Sequence, residues 1–190
     1  PQAVTLLGFT RVRDLVLSLS VWGALEGTSQ AARRFRTRLW THSAMVAAAA
    51  RMLAERTNHD EASAFTAGLL HDVGKLVLGL RLGDSYWELL EDAIEDGGAA
   101  QTEQAAFSCD HAAVGAWLLQ LWGMPADLVE AVALHTDPLV LDHGLDTTSL
   151  VAVADRLIHA TDAGSGTARA DVLDELRHAV PGLVEGEAWR

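Results

Sequence analysis

Lysine occurs once in this chain, at Lys75, and cysteine once, at Cys109. A single cysteine excludes an internal disulfide framework and a thiolate-rich zinc site. Proline is scarce at 4 residues, and an apolar fraction of 49% is too high for a disordered segment. No stretch approaches the roughly 18 consecutive apolar residues of a membrane span. Pro1-Gln2-Ala3-Val4 lacks the basic start and cleavage site of a signal peptide. These absences lead to the expectation of a soluble, cytoplasmic protein that makes no use of a membrane. Its 190 residues suffice for one domain with a proper core, so positions 1–190 are read as a single domain.

Charge is unevenly placed. Residues 82–155 contain 14 acids and no Lys or Arg, whereas residues 1–81 hold 10 of the 14 basic groups and 6 acids; the formal net charge is −12. Such a surface repels a phosphate backbone over much of its area, which argues against general nucleic-acid binding. The cluster Arg33, Arg34, Arg36 and Arg38 could receive one anionic ligand, but a solvated helix start is the simpler reading.

The apolar pattern is helical almost throughout. It predicts helices over Val4 to Leu25, Ala32 to Arg56, Glu61 into His71-Asp72 with a bend at Gly74, and Ser85 to Asp96. Further helices are expected over His111 to Trp122, Pro125 to His135, from Thr147 or Thr148 through Ile158, and Arg169 to Val180. Capping residues support several of these starts, with Asn58 to Asp60 before the third helix and Asp110 before His111. Ala44 and Ala47 to Ala50 suit close helix–helix contact. No stretch alternates with period two long enough to argue for a sheet. The expectation is an all-α bundle.

The segment from Ala67 to Leu78 places His71, Asp72 and Lys75 in an otherwise apolar run. Burying these groups is costly unless they are paired or bound to a metal. Gly68 and Gly74 would let a backbone or ligand approach closely. A buried His71–Asp72 hydrogen bond with Lys75 as counter-ion accounts for the segment equally well on its own. Four more residues tilt the balance: His42 within an apolar helix, His111 and His135 at helix ends, and Asp155 within Val151-Ala152-Val153-Ala154-Asp155. Together they offer nitrogen and oxygen donors from several helices, a way of building a metal site in a helical core. Imidazole and carboxylate ligands suit iron, manganese, zinc or nickel better than magnesium. His59, His143, His159 and His178 lie at predicted helix ends or in polar contexts and receive no role.

The ordered set His42, His71-Asp72, Asp155 resembles the H…HD…D signature of the HD-domain superfamily, whose metal-dependent members hydrolyse phosphate esters. Longer phrases are similar to the HDOD family: Ala3 to Gly8, Leu39 to Ser43, Ala67 to Leu76, His111 to Leu119, and Trp122-Gly123-Met124-Pro125 with His135 ten residues on. The resemblance covers roughly residues 1–160. It implies an HD-domain-like helical bundle and a regulatory or output role in bacterial signalling, with protein partners and a nucleotide as a further candidate. Relatives carry another helical subdomain ahead of this region, and Pro1 is not an initiator, so the chain resembles part of a longer or processed protein. The ligands His42, His71, Asp72 and Asp155 are kept, and His111 and His135 stand where some relatives place ligands to a second metal.

Two functional readings follow. In the first, the chain is a regulatory module whose metal centre is structural or vestigial, or carries no ion. In the alternative, it is a metal-dependent phosphohydrolase acting on a nucleotide or another phosphate ester. There the cation lowers the pKa of a bound water, Asp72 bridges to a second ion, and Lys75 offsets phosphate charge. A metal serving stability alone is a third possibility. His71 to Lys75 also resembles the HD-x-G-K motif of the HD-GYP branch, which cleaves cyclic di-GMP. Thr136-Asp137-Pro138 follows His135 in place of that branch's histidine and glutamate, no Gly-Tyr-Pro follows, and the sole tyrosine is Tyr86. Cyclic di-GMP hydrolysis is therefore disfavoured.

Overall fold

The structure is a computed structural model that describes residues 30–96, 98–137 and 144–162, together with position 174. The helices expected over Val4 to Leu25 and Arg169 to Val180 lie outside the described residues, position 174 excepted. Among the described residues there are eight α-helices and no strand. They are α1 (Gln30–Thr57), α2 (Glu61–Leu70), α3 (Val73–Leu82), α4 (Asp84–Asp96), α5 (Ala99–Phe107), α6 (His111–Leu121), α7 (Ala126–Leu134) and α8 (Thr147–Asp162).

The long α1 forms where the apolar spacing predicts it, and it ends at Asn58, whose φ of 58° is left-handed. Asp60 then starts α2: one carboxylate oxygen accepts from Ala62 N at 3.1 Å and the other from Ser63 Oγ at 2.9 Å. Such a cap is worth about 1 kcal/mol. α2 is the central helix, packed against α1, α7 and α8. Its closeness to α1 depends on small residues. A Cβ built on Gly68 would lie 2.8 Å from the Ala47 Cα, and Ala47 and Ala50 are fully buried.

The main core joins Val46 and Leu53 of α1, Leu70 of α2, Leu119 of α6, Val132 of α7 and Val151 of α8. Each large aliphatic chain removed from water contributes about 1.5–3 kcal/mol. A smaller cluster around Tyr86, Trp87 and Leu90 packs α4 beneath α3 and the start of α1. Each helix packs against two or three others, and the main core draws on five of them.

Three details differ from the sequence pattern. The helix beginning at Glu61 does not bend at Gly74 but breaks two residues earlier, at His71 and Asp72, and α3 starts anew at Val73. Gly74 serves a different purpose. A Cβ there would sit 1.9 Å from the His111 carbonyl oxygen, so the glycine lets α3 meet α6 backbone to backbone. The second difference is α5, which the periodicity misses because Ala99–Phe107 buries little; among its residues only Glu103 is buried. Alanine, glutamine and glutamate carry that helix on propensity. Thirdly, α8 is capped by Asp146 and not by a threonine. Asp146 accepts from Ser149 N at 2.8 Å, and Ser149 Oγ accepts from Asp146 N at 2.8 Å.

Candidate metal centre

The break between α2 and α3 builds the site. Asp72 has φ −98° and ψ 10°, in the sparsely populated bridge region. His71 turns back so that its Nδ1–H donates to the Gly68 carbonyl at 2.7 Å. That bond leaves the lone pair of the neutral ring on Nε2, which is buried without a hydrogen bond. Around this joint, α1 supplies His42, α8 supplies Asp155, the first turn of α6 supplies His111, and the end of α7 supplies His135. All six side chains singled out by the sequence pattern therefore face one another, although they come from separate segments.

They form two groups that share Asp72. On one side, His71 Nε2 lies 3.4 Å from Asp72 Oδ2 and 3.6 Å from Asp155 Oδ1. His42 Nε2 lies 2.8 Å from Asp155 Oδ1 and 4.0 Å from Asp72 Oδ2. On the other side, Asp72 Oδ1 is 3.3 Å from His111 Nε2 and 3.7 Å from His135 Nε2. The two groups differ in access. His42 and Asp155 side chains are 12% and 15% exposed, whereas those of Asp72, His111 and His135 are at most 2% exposed.

The donor set fits a cation. His135 Nδ1 donates to the Val132 carbonyl at 2.9 Å, and His111 Nδ1 donates to Glu103 Oε2 at 2.6 Å. Their Nε2 atoms consequently approach each other to 3.3 Å, with a lone pair on each when both rings are neutral. Asp72 Oδ1 beside them is buried and makes no hydrogen bond. Acceptors facing acceptors in a dry interior need a proton or a metal ion between them. The groupings His42/His71/Asp72 and Asp72/His111/His135 each bring their ligand atoms within 4.8 Å of one another, close enough to hold one.

The electrostatics have the same sense. Burial alone would lower the His71 pKa, but the Asp72 and Asp155 carboxylates push it up to about 10. Burial opposes ionisation of Asp72 and Asp155; the positive groups and hydrogen bonds around them nonetheless hold both well below the usual carboxylate range. His135 moves the other way, lowered chiefly by burial, with His71 and His111 adding to it. Positive charge is favoured at His71 and disfavoured at His135.

Lys75, expected to face phosphate, is buried in the first turn of α3 with Nζ 2.8 Å from Asp72 Oδ2. It acts as counter-ion to that carboxylate, and Asp72 raises its pKa in return despite burial. The sequence pattern passes over His159, one helical turn after Asp155, whose Nδ1 lies 2.9 Å from Asp155 Oδ1 and whose side chain is 60% exposed. The i, i+4 spacing on α8 is the available signal. It also passes over Glu103, because the periodicity does not reveal α5. By contrast, His59 bonds Thr57 Oγ1 and the Leu145 carbonyl, which is a structural role away from the cluster.

The profile of the HDOD domain matches residues 1–138. The chain belongs to the HDOD family. Among curated proteins nothing matches. A presumed phosphohydrolase of Shewanella amazonensis SB2B is similar at 26% identity and a TM-score of 0.67, covering 93% of this chain and 65% of its own. An HDOD domain protein of unknown function from Geobacter sulfurreducens has the same fold, at 23% identity and a TM-score of 0.67 over 95% of this chain and 64% of its own. The MmoQ response regulator of Methylococcus capsulatus str. Bath is similar at 26% identity and a TM-score of 0.60, covering 90% and 69%. The HDOD chain thus spans about two thirds of the length of these proteins. Among the described residues no helix is long and apolar enough to cross a membrane.

Proposed function

We propose that this HDOD chain is a metal-binding output module of bacterial signal transduction that works in the cytoplasm through protein partners. The observation that carries the metal-binding part is the sharing of Asp72, whose two oxygens face two separate groups of imidazoles. His42, His71, Asp72 and Asp155 would hold one divalent ion, and Asp72, His111 and His135 a second. Iron, manganese, zinc or nickel suit such ligands better than magnesium. Likeness to the response regulator of Methylococcus capsulatus supports the signalling part.

A second reading, metal-dependent hydrolysis of a nucleotide or other phosphate ester, is favoured by the completeness of the ligand set and by likeness to the Shewanella protein. Bound at this centre, a divalent ion would supply Lewis acidity and activate water. The chain's own residues do the rest. His42 and Asp155 border the more open side, where a phosphate would enter. The hydrogen bond from His159 to the Asp155 carboxylate raises the His159 pKa there, which favours its protonated form. His71 and then Lys75 favour the ionised form of Asp72, which preserves its two acceptor oxygens.

Metal analysis of protein purified without added metal, followed by chelation, reloading and a phosphate-ester and nucleotide panel, tests both readings. About two ions per chain without turnover supports the regulatory reading. Metal-dependent turnover that disappears in Asp72→Ala supports the enzymatic one. No bound ion under any loading condition would overturn the enzymatic reading and the metal-binding part of the regulatory one.

A further inference from the structure

We infer that Glu103 and Tyr86 form a buried positioning pair that sets the ring orientation of His111 and strengthens its Nε2 as a ligand. The inference rests on reading His111 as part of the inner metal group and gives a role to two residues outside the ligand set. Glu103 is fully buried and belongs to a helix with no other fully buried residue. Burying a carboxylate there is strongly unfavourable unless its acceptor sites are filled. Three donors fill them: Tyr86 O–H at 2.7 Å on Oε1, and both the backbone N–H and the ring Nδ1–H of His111 at 2.7 and 2.6 Å on Oε2.

The backbone bond alone would make Glu103 a cap for the start of α6. The ring bond does more. It fixes His111 with its proton on Nδ1, so the Nε2 lone pair is presented to Asp72 Oδ1 and His135. An ionised acceptor on one ring nitrogen raises the electron density on the other, which strengthens it as a ligand. His71 and His135 are oriented by neutral carbonyls, so His111 alone of the three has a charged partner. Tyr86 is fully buried between α3 and α5, and its O–H keeps Oε1 of the same carboxylate occupied. The pair thus ties α4, α5 and α6 to one coordinating nitrogen.

Two measurements on the whole chain separate orientation from metal binding. In the metal-free protein, nitrogen NMR should place the His111 proton on Nδ1 in the wild type. In Glu103→Met, which roughly keeps the volume and removes the acceptor, the Nδ1-protonated form should lose its dominance. In Glu103→Gln the amide oxygen can still accept both His111 bonds, so fold and tautomer should persist while the charge is lost. Manganese or zinc titration of that variant should show one of the two ions, the inner one, losing about 10–100-fold in affinity, with the outer ion unchanged; Tyr86→Phe should show a smaller loss at the same ion. Unchanged affinity for both ions in Glu103→Gln would overturn the inference while leaving the two-ion reading intact. A wild type that binds fewer than two ions would sink that reading, and the tautomer comparison would still decide whether Glu103 orients His111. Should Glu103→Met fail to fold, an Nε2-protonated His111 in the wild type would overturn the inference by itself.

Discussion

Replacing Asp72 by alanine removes the carboxylate whose two oxygens face the two ligand groups, and its cost can be worked out for two states of the protein. In the metal-free state the change deletes the carboxylate 2.8 Å from Lys75 Nζ and leaves a buried ammonium, 11% exposed, without its partner. Breaking one side of a buried pair costs about 3–5 kcal/mol; the remaining exposure of Lys75 puts the expected loss near the lower end, at about 3 kcal/mol. In the loaded state the wild type gains more: each ion present at 100 times its dissociation constant adds about 2.7 kcal/mol. Asp72→Ala should forfeit most of that gain, since neither group keeps its carboxylate bridge. Urea melts of wild type and variant, each chelated and each saturated with manganese, resolve the two effects. The wild-type pair of curves should separate and the variant pair should nearly superimpose. A variant that kept the wild-type separation would refute the sharing of Asp72. Equal stability of the two chelated proteins would refute the burial argument for Lys75.

Other outcomes follow from the geometry. His71 has a folded pKa raised from 6.5 to about 10, so its stabilisation is complete below pH 6.5 and is lost as pH rises to about 10. His135, lowered by burial, acts oppositely and withdraws stability as pH falls below 6.5. Chelated protein should therefore be most stable near pH 6.5, with a decline toward pH 10 measurable by thermal melts; a rise toward pH 9 would contradict the assignment. Metal reverses the alkaline limb, because a ligand ring must be unprotonated, so the gap between loaded and chelated melts should widen as pH increases. Gly74→Ala should destabilise by about 1–3 kcal/mol or more, since its Cβ meets the His111 carbonyl, and urea melts at the level of wild type would show that α3 and α6 can part freely. In a low-salt mobility-shift assay the chain should not bind arbitrary duplex DNA: Asp84, Glu88, Asp127, Glu130 and Asp146 are all exposed on the stretch that lacks basic residues.

Much of this arrangement is legible in the sequence. His42, His71, Asp72, His111, His135 and Asp155 stand out because each lies within or at the end of an apolar helix, where an unpaired polar group is expensive. Helix starts at Glu61 and His111 are readable because Asp60 and Asp110 are short carboxylates, and each does accept a backbone N–H. The break at His71 and Asp72 is not readable. Nothing in the run from Ala67 to Leu78 departs from helical spacing, and the glycine that suggests a bend serves contact with α6. Glu103 is invisible for a related reason: Ala99–Phe107 carries too few apolar residues to register a period, so a buried acid there looks like any solvated one.

The same geometry constrains how the centre meets its surroundings. His42, Asp155 and His159 have side chains 12%, 15% and 60% exposed, and the last two lie one turn apart on α8. His111, His135 and Asp72 are buried, and α3 meets α6 backbone to backbone so tightly that Gly74 cannot bear a side chain. A small molecule or a partner's side chain therefore reaches the cluster past α1 and α8 and meets the His42–Asp155 side first. Anything that acts on the inner group from the opposite direction must do so through packing, by way of α4, α5 and the Tyr86–Glu103–His111 chain of hydrogen bonds. Among the described residues the His42–Asp155 side of the centre is the less buried one, and the Asp72–His111–His135 side is enclosed by helices. A signalling module needs the connection through packing, whereas a simple phosphohydrolase needs only the less buried side.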